Sequence, residues 1–99
     1  MPLFHARLIA HRADFVATMT PEEVAVMRAH GAFLQEQLEA GTLVVAGPVL
    51  DASGPYGMGV FELGSAEALT ALLARDPARA IGRYEISPMG PNSVRRKAG

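Results

Sequence analysis

The sequence contains no cysteine. Disulfides, thiol nucleophiles and thiolate metal sites are therefore excluded, and a reducing compartment is compatible with that absence. Basic stripes are missing too. The net charge is −1, and the only run of like charge is Arg95-Arg96-Lys97 near the C-terminus. Neutralising nucleic-acid phosphates takes more cation than this, so no nucleic-acid partner is expected and the run reads as a solvated end. No stretch reaches the ~18 apolar residues that span a bilayer. Met1 to Arg12 lacks the charged-then-apolar order of a secretory signal. The expectation is a soluble, cytoplasmic protein with no membrane partner.

What is present is an apolar chain. Hydrophobic residues make up 49% and charged residues 19% of 99 positions, which suits one globular domain. That domain is expected to occupy residues 1–90, followed by an extended tail over 91–99. So apolar a surface on so small a domain points to a self-association face.

Leu3 to His11 alternates as a strand. Its even positions, Phe4, Ala6, Leu8 and Ala10, are uniformly apolar and should meet helices, while the odd positions are mixed. Thr20-Pro21-Glu22-Glu23 carries a capping residue, a proline for the first helical position and the glutamate of a capping box. The helix should run to about Ala40 and stop at Gly41. Its apolar stripe reads Val24, Met27, Leu34 and Leu38, with His30 between the middle two. Thr42 to Pro48, apolar on both faces, reads as a strand inside the sheet. Tyr56 to Leu63 forms a hairpin with it, and Gly57 and Gly59 permit close approach of a ligand or backbone, or a bulge. Ser65 caps a second helix ending near Arg75. Asp76-Pro77 opens a short extra turn through about Ile81, and Arg83 to about Met89 is the last strand. Strand, helix, strand, strand, helix, strand is met most simply by the α+β ferredoxin-like fold: a four-stranded antiparallel sheet with two helices on one face. A face-to-face homodimer is the economical way to cover the other.

His30, followed by Leu34, Leu38, Gly41, Leu43 and Gly47-Pro48, resembles the YCII family, in which a helix carrying a histidine leads through a Gly-x-Leu turn into a strand ending in Gly-Pro. Phe61-Glu62, Ser65 to Ala68, Asp76-Pro77 and Gly82-x-Tyr84-Glu85-Ile86-x-Pro88 follow in the family order. The resemblance covers roughly residues 3 to 89. It implies a dimeric α/β barrel joined through the sheets, and a histidine–aspartate pair at the site, carried onto His30 and Asp76. One branch of the family is a dehydrochlorinase acting on a chlorinated hydroxyhydroquinone, so elimination chemistry is one expectation. The loop from Val49 to Pro55 is shorter than in some relatives, which bears on ligand choice.

His30 and Asp76 are thus the candidate catalytic residues. Histidine titrates near physiological pH and serves as general acid or base; an Asp before Pro equally suits a plain helix cap. Arg7, Gly47, Pro48 and Tyr84 are the candidate substrate-binding residues, Arg7 for an anionic group on the sheet face and Tyr84 for an aromatic wall. His5 and His11 lie roughly 20 Å apart along a strand, at about 3.3 Å per residue, so they cannot share a metal ion within one chain. The glycines from Gly54 to Gly59 precede a strand rather than link a strand to a helix, and so fail the test for a phosphate loop. No metal or cofactor is expected. The leading expectation is a small cofactor-independent enzyme of lyase or isomerase type acting on a small cyclic or aromatic compound. The alternative is a non-catalytic dimeric module that binds a small molecule or regulates a partner.

Overall fold

The computed structural model describes residues 1–96. Lys97 of the basic run and the end of the tail lie outside them. The chain runs β1 (Leu3–Ala10), α1 (Pro21–Ala40), β2 (Leu43–Val49), β3 (Tyr56–Glu62), α2 (Ala66–Leu73) and β4 (Gly82–Pro88). Short 3-10 turns at Val16–Thr18 and Pro77–Ala80 precede α1 and β4. The sheet order is β2-β3-β1-β4 with every neighbouring pair antiparallel. This is the ferredoxin-like α+β arrangement. No helix among the described residues is long and apolar enough to cross a membrane.

Local chemistry sets the start and stop of α1. The Thr20 side chain accepts from the Glu23 amide, the Glu23 carboxylate accepts from the Thr20 amide, and Pro21 occupies the first turn. Gly41 ends the helix at φ 81°, a left-handed conformation that glycine adopts without steric cost. The capping glutamate has a second task. Arg12 donates to both of its oxygens, at 2.8 and 2.7 Å, and to the Thr18 carbonyl at 2.8 Å. The Arg12 hydrogen bond, followed by the Thr20 amide, pulls the Glu23 carboxyl down to about 2. The connection from β1 is thereby tied to the start of α1.

The even residues of β1 do face the helices. Phe4 and Ala6 are buried with Phe33, Leu43, Phe61, Leu69 and Leu73, and Leu8 joins Phe15, Ala78 and Ile81 in a smaller cluster under the connecting turns. Two expectations need correction. On α1 the buried residues are Phe33 and Gln37, while Val24 and Leu38 are each 39% exposed. A stripe at 3.6 residues per turn passes through Met27, His30, Phe33, Leu34 and Gln37 and leaves positions 24 and 38 on its flanks. Gln37 is tolerated there because its Oε1 accepts from the Thr42 hydroxyl at 2.8 Å. The second correction is that β2, apolar on both faces, lies at the sheet edge and not inside it. Leu43 supplies its core face, whereas Val45 on the other face is 50% exposed. The irregularity in this hairpin also falls in β2, between Leu43 and Val45.

The tail is not wholly extended. The Ser93 amide closes a turn on the Gly90 carbonyl, and Arg95 donates to Glu62 at 2.8 Å. An exposed pair of this kind contributes at most about 1 kcal/mol.

Two glycines make opposite predictions. A Cβ on Gly82 would stand 2.2 Å from the Ile9 carbonyl oxygen, whereas one on Gly31 in α1 would meet nothing within 4 Å. Gly82→Ala must push β4 off β1 and should cost more than about 3 kcal/mol in urea unfolding, at the severe end of single substitutions. Gly31→Ala should raise stability by about 0.5–1 kcal/mol, the usual helix-interior difference.

Candidate active site

A cavity of about 330 Å³ opens between α1 and the helix-facing side of the sheet. Leu8, Gly57, Gly59 and Phe61 line it from β1 and β3, Gly47 and Pro48 from β2, and Tyr84 from β4. Met27, His30 and Leu34 line it from α1, and Phe15, Val16 and Met19 from the β1–α1 connection. The glycines of β3 matter here. A Cβ on Gly59 would lie 2.9 Å from the Phe61 ring, so glycine is what lets that ring lie across the strand beside the cavity. The lining contains no lysine, arginine or carboxylate, and His30 is its one imidazole.

Asp76 meets His30 directly. His30 Nδ1 lies 2.9 Å from both Asp76 Oδ1 and Oδ2. A carboxylate only accepts, so Nδ1 carries the proton and donates. That leaves Nε2 as the ring nitrogen available to a ligand in the cavity. The same carboxylate accepts from the Ala78 amide at 2.9 Å and from the Tyr84 hydroxyl. Helix cap and histidine partner are therefore one group performing both tasks.

Asp76 is 3% exposed. Burial is the largest single influence on it and pushes its carboxyl upward, but hydrogen bonds from His30, Tyr84 and Ala78 together outweigh that and hold it below its ordinary value. The consequence for Tyr84 is the reverse. Burial first, then the adjacent carboxylate, push its phenol well above the usual tyrosine range, so it stays a neutral donor.

Of the residues singled out from the sequence, His30, Gly47, Pro48 and Tyr84 surround one cavity, with Asp76 behind the imidazole. Arg7 does not join them. It sits on the odd face of β1, and its guanidinium carbon lies 4.2 Å from the centre of the Tyr56 ring. The bond from Tyr84 to Asp76 was not foreseen in the sequence. Its signal was parity: Tyr84 shares the helix-facing side of β4 with Ile86, and a half-buried phenol there needs an acceptor.

A family model described as the YCII-related domain matches residues 3–91. The chain belongs to the YCII-related family. No curated protein sequence matches it. Among solved structures, this YCII-related chain is similar to 5-chloro-2-hydroxyhydroquinone dehydrochlorinase from Burkholderia phenoliruptrix AC1100 in complex with 2,5-dihydroxybenzoquinone. That likeness has 20% identity and a TM-score of 0.64, over 98% of this chain and 95% of the other. It is similar also to muconolactone isomerase, at 20% identity and a TM-score of 0.69, over 96% and 97%. At this identity the likeness establishes the shared fold. Both of these fold relatives are enzymes by name.

Because the folded-state carboxyl of Asp76 lies below its ordinary 3.8, its contribution to stability is complete above that value. It is lost as pH falls through the lower folded-state value. Asp76→Asn should remove that part of the acid-unfolding profile and cost on the order of 3 kcal/mol at neutral pH, as for a broken buried pair. Denaturant melts at a series of pH values would show it; an unchanged acid limb would contradict the assignment.

Proposed function

We propose that this YCII-related protein is a cofactor-independent enzyme in which His30, oriented by Asp76, moves a proton on a small cyclic or aromatic compound held in the cavity. The observation that carries this reading is the His30–Asp76 contact at the wall of an otherwise apolar, ligand-sized space. With Nδ1–H committed to the carboxylate, neutral Nε2 serves as general base toward an acidic C–H or O–H. The imidazolium so formed is stabilised by Asp76 and returns the proton as general acid. Tyr84 holds the second carboxylate oxygen, which fixes the plane in which the imidazole sits. Apolar walls lower the local dielectric beside His30, so the charge change on it is felt more strongly than in solvent.

Chemistry of this kind needs one proton relay and a leaving group or a migrating double bond. Elimination, including loss of chloride, and isomerisation both meet that description, and the names of the two fold relatives support it. A screen of cyclic and chlorinated aromatic compounds by thermal shift should return ligands that raise the melting temperature. For any ligand that is turned over, His30→Asn should lower kcat by about 10²–10⁴-fold, the usual contribution of a positioned acid–base group, with the fold intact by circular dichroism. Normal turnover by that variant would overturn the proposal.

The homodimer belongs to the same reading. Leu3, Ile9, Met58 and Val60 share the helix-free face of the sheet and are only partly covered, beside the half-exposed Val45. Docking of a second copy would cover these side chains. Light scattering should give twice the chain mass, and Val45→Lys, placing a charge on that face, should shift the protein toward monomer. A monomeric wild type would rule out this assembly.

A further inference from the structure

The β1–α1 connection crosses the His30 cavity with three side chains, Phe15, Val16 and Met19. Phe15 is 4% exposed and packs with Leu8, Ala78 and Ile81, so it plugs that end of the space. Val16 lines the cavity and is nevertheless 67% exposed, which puts it at the boundary between cavity and solvent. A second cavity of about 260 Å³, lined in part by Arg7 and Arg12, lies on the far side of the same stretch. Phe15 and Val16 border both, so this stretch separates two unfilled spaces.

The attachments of this stretch differ from those of the other walls. The strands and α1 are held by continuous hydrogen-bond ladders. Among the described residues, the backbone hydrogen bonds of residues 12–18 close within the stretch itself. The Phe15 amide donates to the Arg12 carbonyl at 3.3 Å, and the Ala17 and Thr18 amides to the Asp14 carbonyl, both at 3.1 Å. Its two ends are pinned: the His11 amide donates to the Ile81 carbonyl at 2.8 Å, and the Thr20 amide to the Glu23 carboxylate at 2.9 Å. Between those pins, one side chain supplies the polar tie. The Arg12 guanidinium grips both oxygens of Glu23 on α1, and also donates to the Thr18 carbonyl and, at 2.9 Å, to the Thr18 hydroxyl. Its central carbon lies 5.1 Å from the centre of the Phe15 ring. Arg12 thus joins the plug and the far end of the stretch to the helix.

We infer that residues 12–19 are the gate through which a ligand reaches His30, and that Arg12 is the positioning residue that latches it shut onto Glu23. This rests on the reading of the His30 cavity as the ligand site. It adds the route of entry and the group that controls it. Opening the sheet or α1 breaks a ladder of bonds, whereas opening this stretch breaks the grip of one guanidinium and withdraws Phe15. A latch of this kind is shut in the free and the bound protein alike, so it sets how fast a ligand enters and leaves and has little effect on how tightly it is held.

The test follows 2-naphthol, an uncharged fluorescent ring compound, by stopped-flow fluorescence. Arg12→Gln should raise its association and dissociation rate constants together, each by about tenfold, the factor for one lost charge-assisted hydrogen bond, and leave Kd nearly constant. Glu23→Gln keeps the helix cap and removes the ion pair. It should act in the same way, and it carries the test if Arg12→Gln folds poorly. Arg12→Lys, which keeps the charge and loses the fork, should fall between wild type and Arg12→Gln. Hydrogen exchange should quicken at the amides of Phe15, Ala17 and Thr18 in these variants and stay unchanged in β1 and β3. A rise in the dissociation rate alone would mark a lost contact and overturn the inference. So would unchanged association in both glutamine variants, or faster exchange without faster association. Failure of 2-naphthol to bind the wild type would remove the cavity as a ligand site, and the gate with it. The two readings otherwise fail separately. Unchanged rates in the variants, with 2-naphthol bound, remove the latch and leave His30 in place, whereas normal turnover by His30→Asn removes the proton relay and leaves the gate intact.

Discussion

The buried carboxylate of Asp76 is the constraint on which the rest of this structure turns. An ionised carboxyl with almost no solvent contact is unfavourable unless donors surround it. Here they come from three separate elements: His30 on α1, the Ala78 amide of the turn before β4, and Tyr84 on β4. Removing any of them leaves charge uncompensated in the interior. The long helix, the 3-10 turn and the edge strand β4 are therefore held in one relative placement, and the imidazole is held with one nitrogen committed and the other free.

Everything else around the cavity serves to keep that placement open. Large apolar side chains fill the space between α2 and the sheet, where Phe4, Phe61, Leu69 and Leu73 pack together. Toward the start of α1 the sheet carries Gly57 and Gly59 in place of side chains, and the packing thins into a cavity. The Arg12–Glu23 pair closes the same end by fastening the β1–α1 connection to the helix cap. A site built this way is lined by α1, the sheet and the β1–α1 connection, whose Val16 is exposed, and its size suits a small ligand.

Much of the fold was legible in the sequence because its signals are local. Alternation in β1, the capping box at Thr20 and Glu23, the left-handed stop at Gly41 and the Asp76-Pro77 cap each depend on neighbours a few residues away, and each appears where it was expected. The failures have a common cause. Whether Phe33 or Leu38 faces inward, and whether β2 lies inside the sheet or at its edge, depends on what packs against them from distant parts of the chain. Gln37 shows the same limit: a polar residue entered the buried stripe because Thr42 was there to satisfy it.

The candidate site divides along the same line. The sequence by itself determined which groups are available: a histidine on an apolar helix face, an aspartate that must cap a turn, a tyrosine on the helix side of the last strand, and no cysteine. It could not say that these meet, because His30 and Asp76 are 46 positions apart and no local rule spans that interval. Only the tertiary structure decided that the cap and the histidine partner are the same carboxylate. It also decided that Arg7, close to Leu8 in the chain, faces a different cavity, because neighbouring residues on a strand point to opposite sides of the sheet.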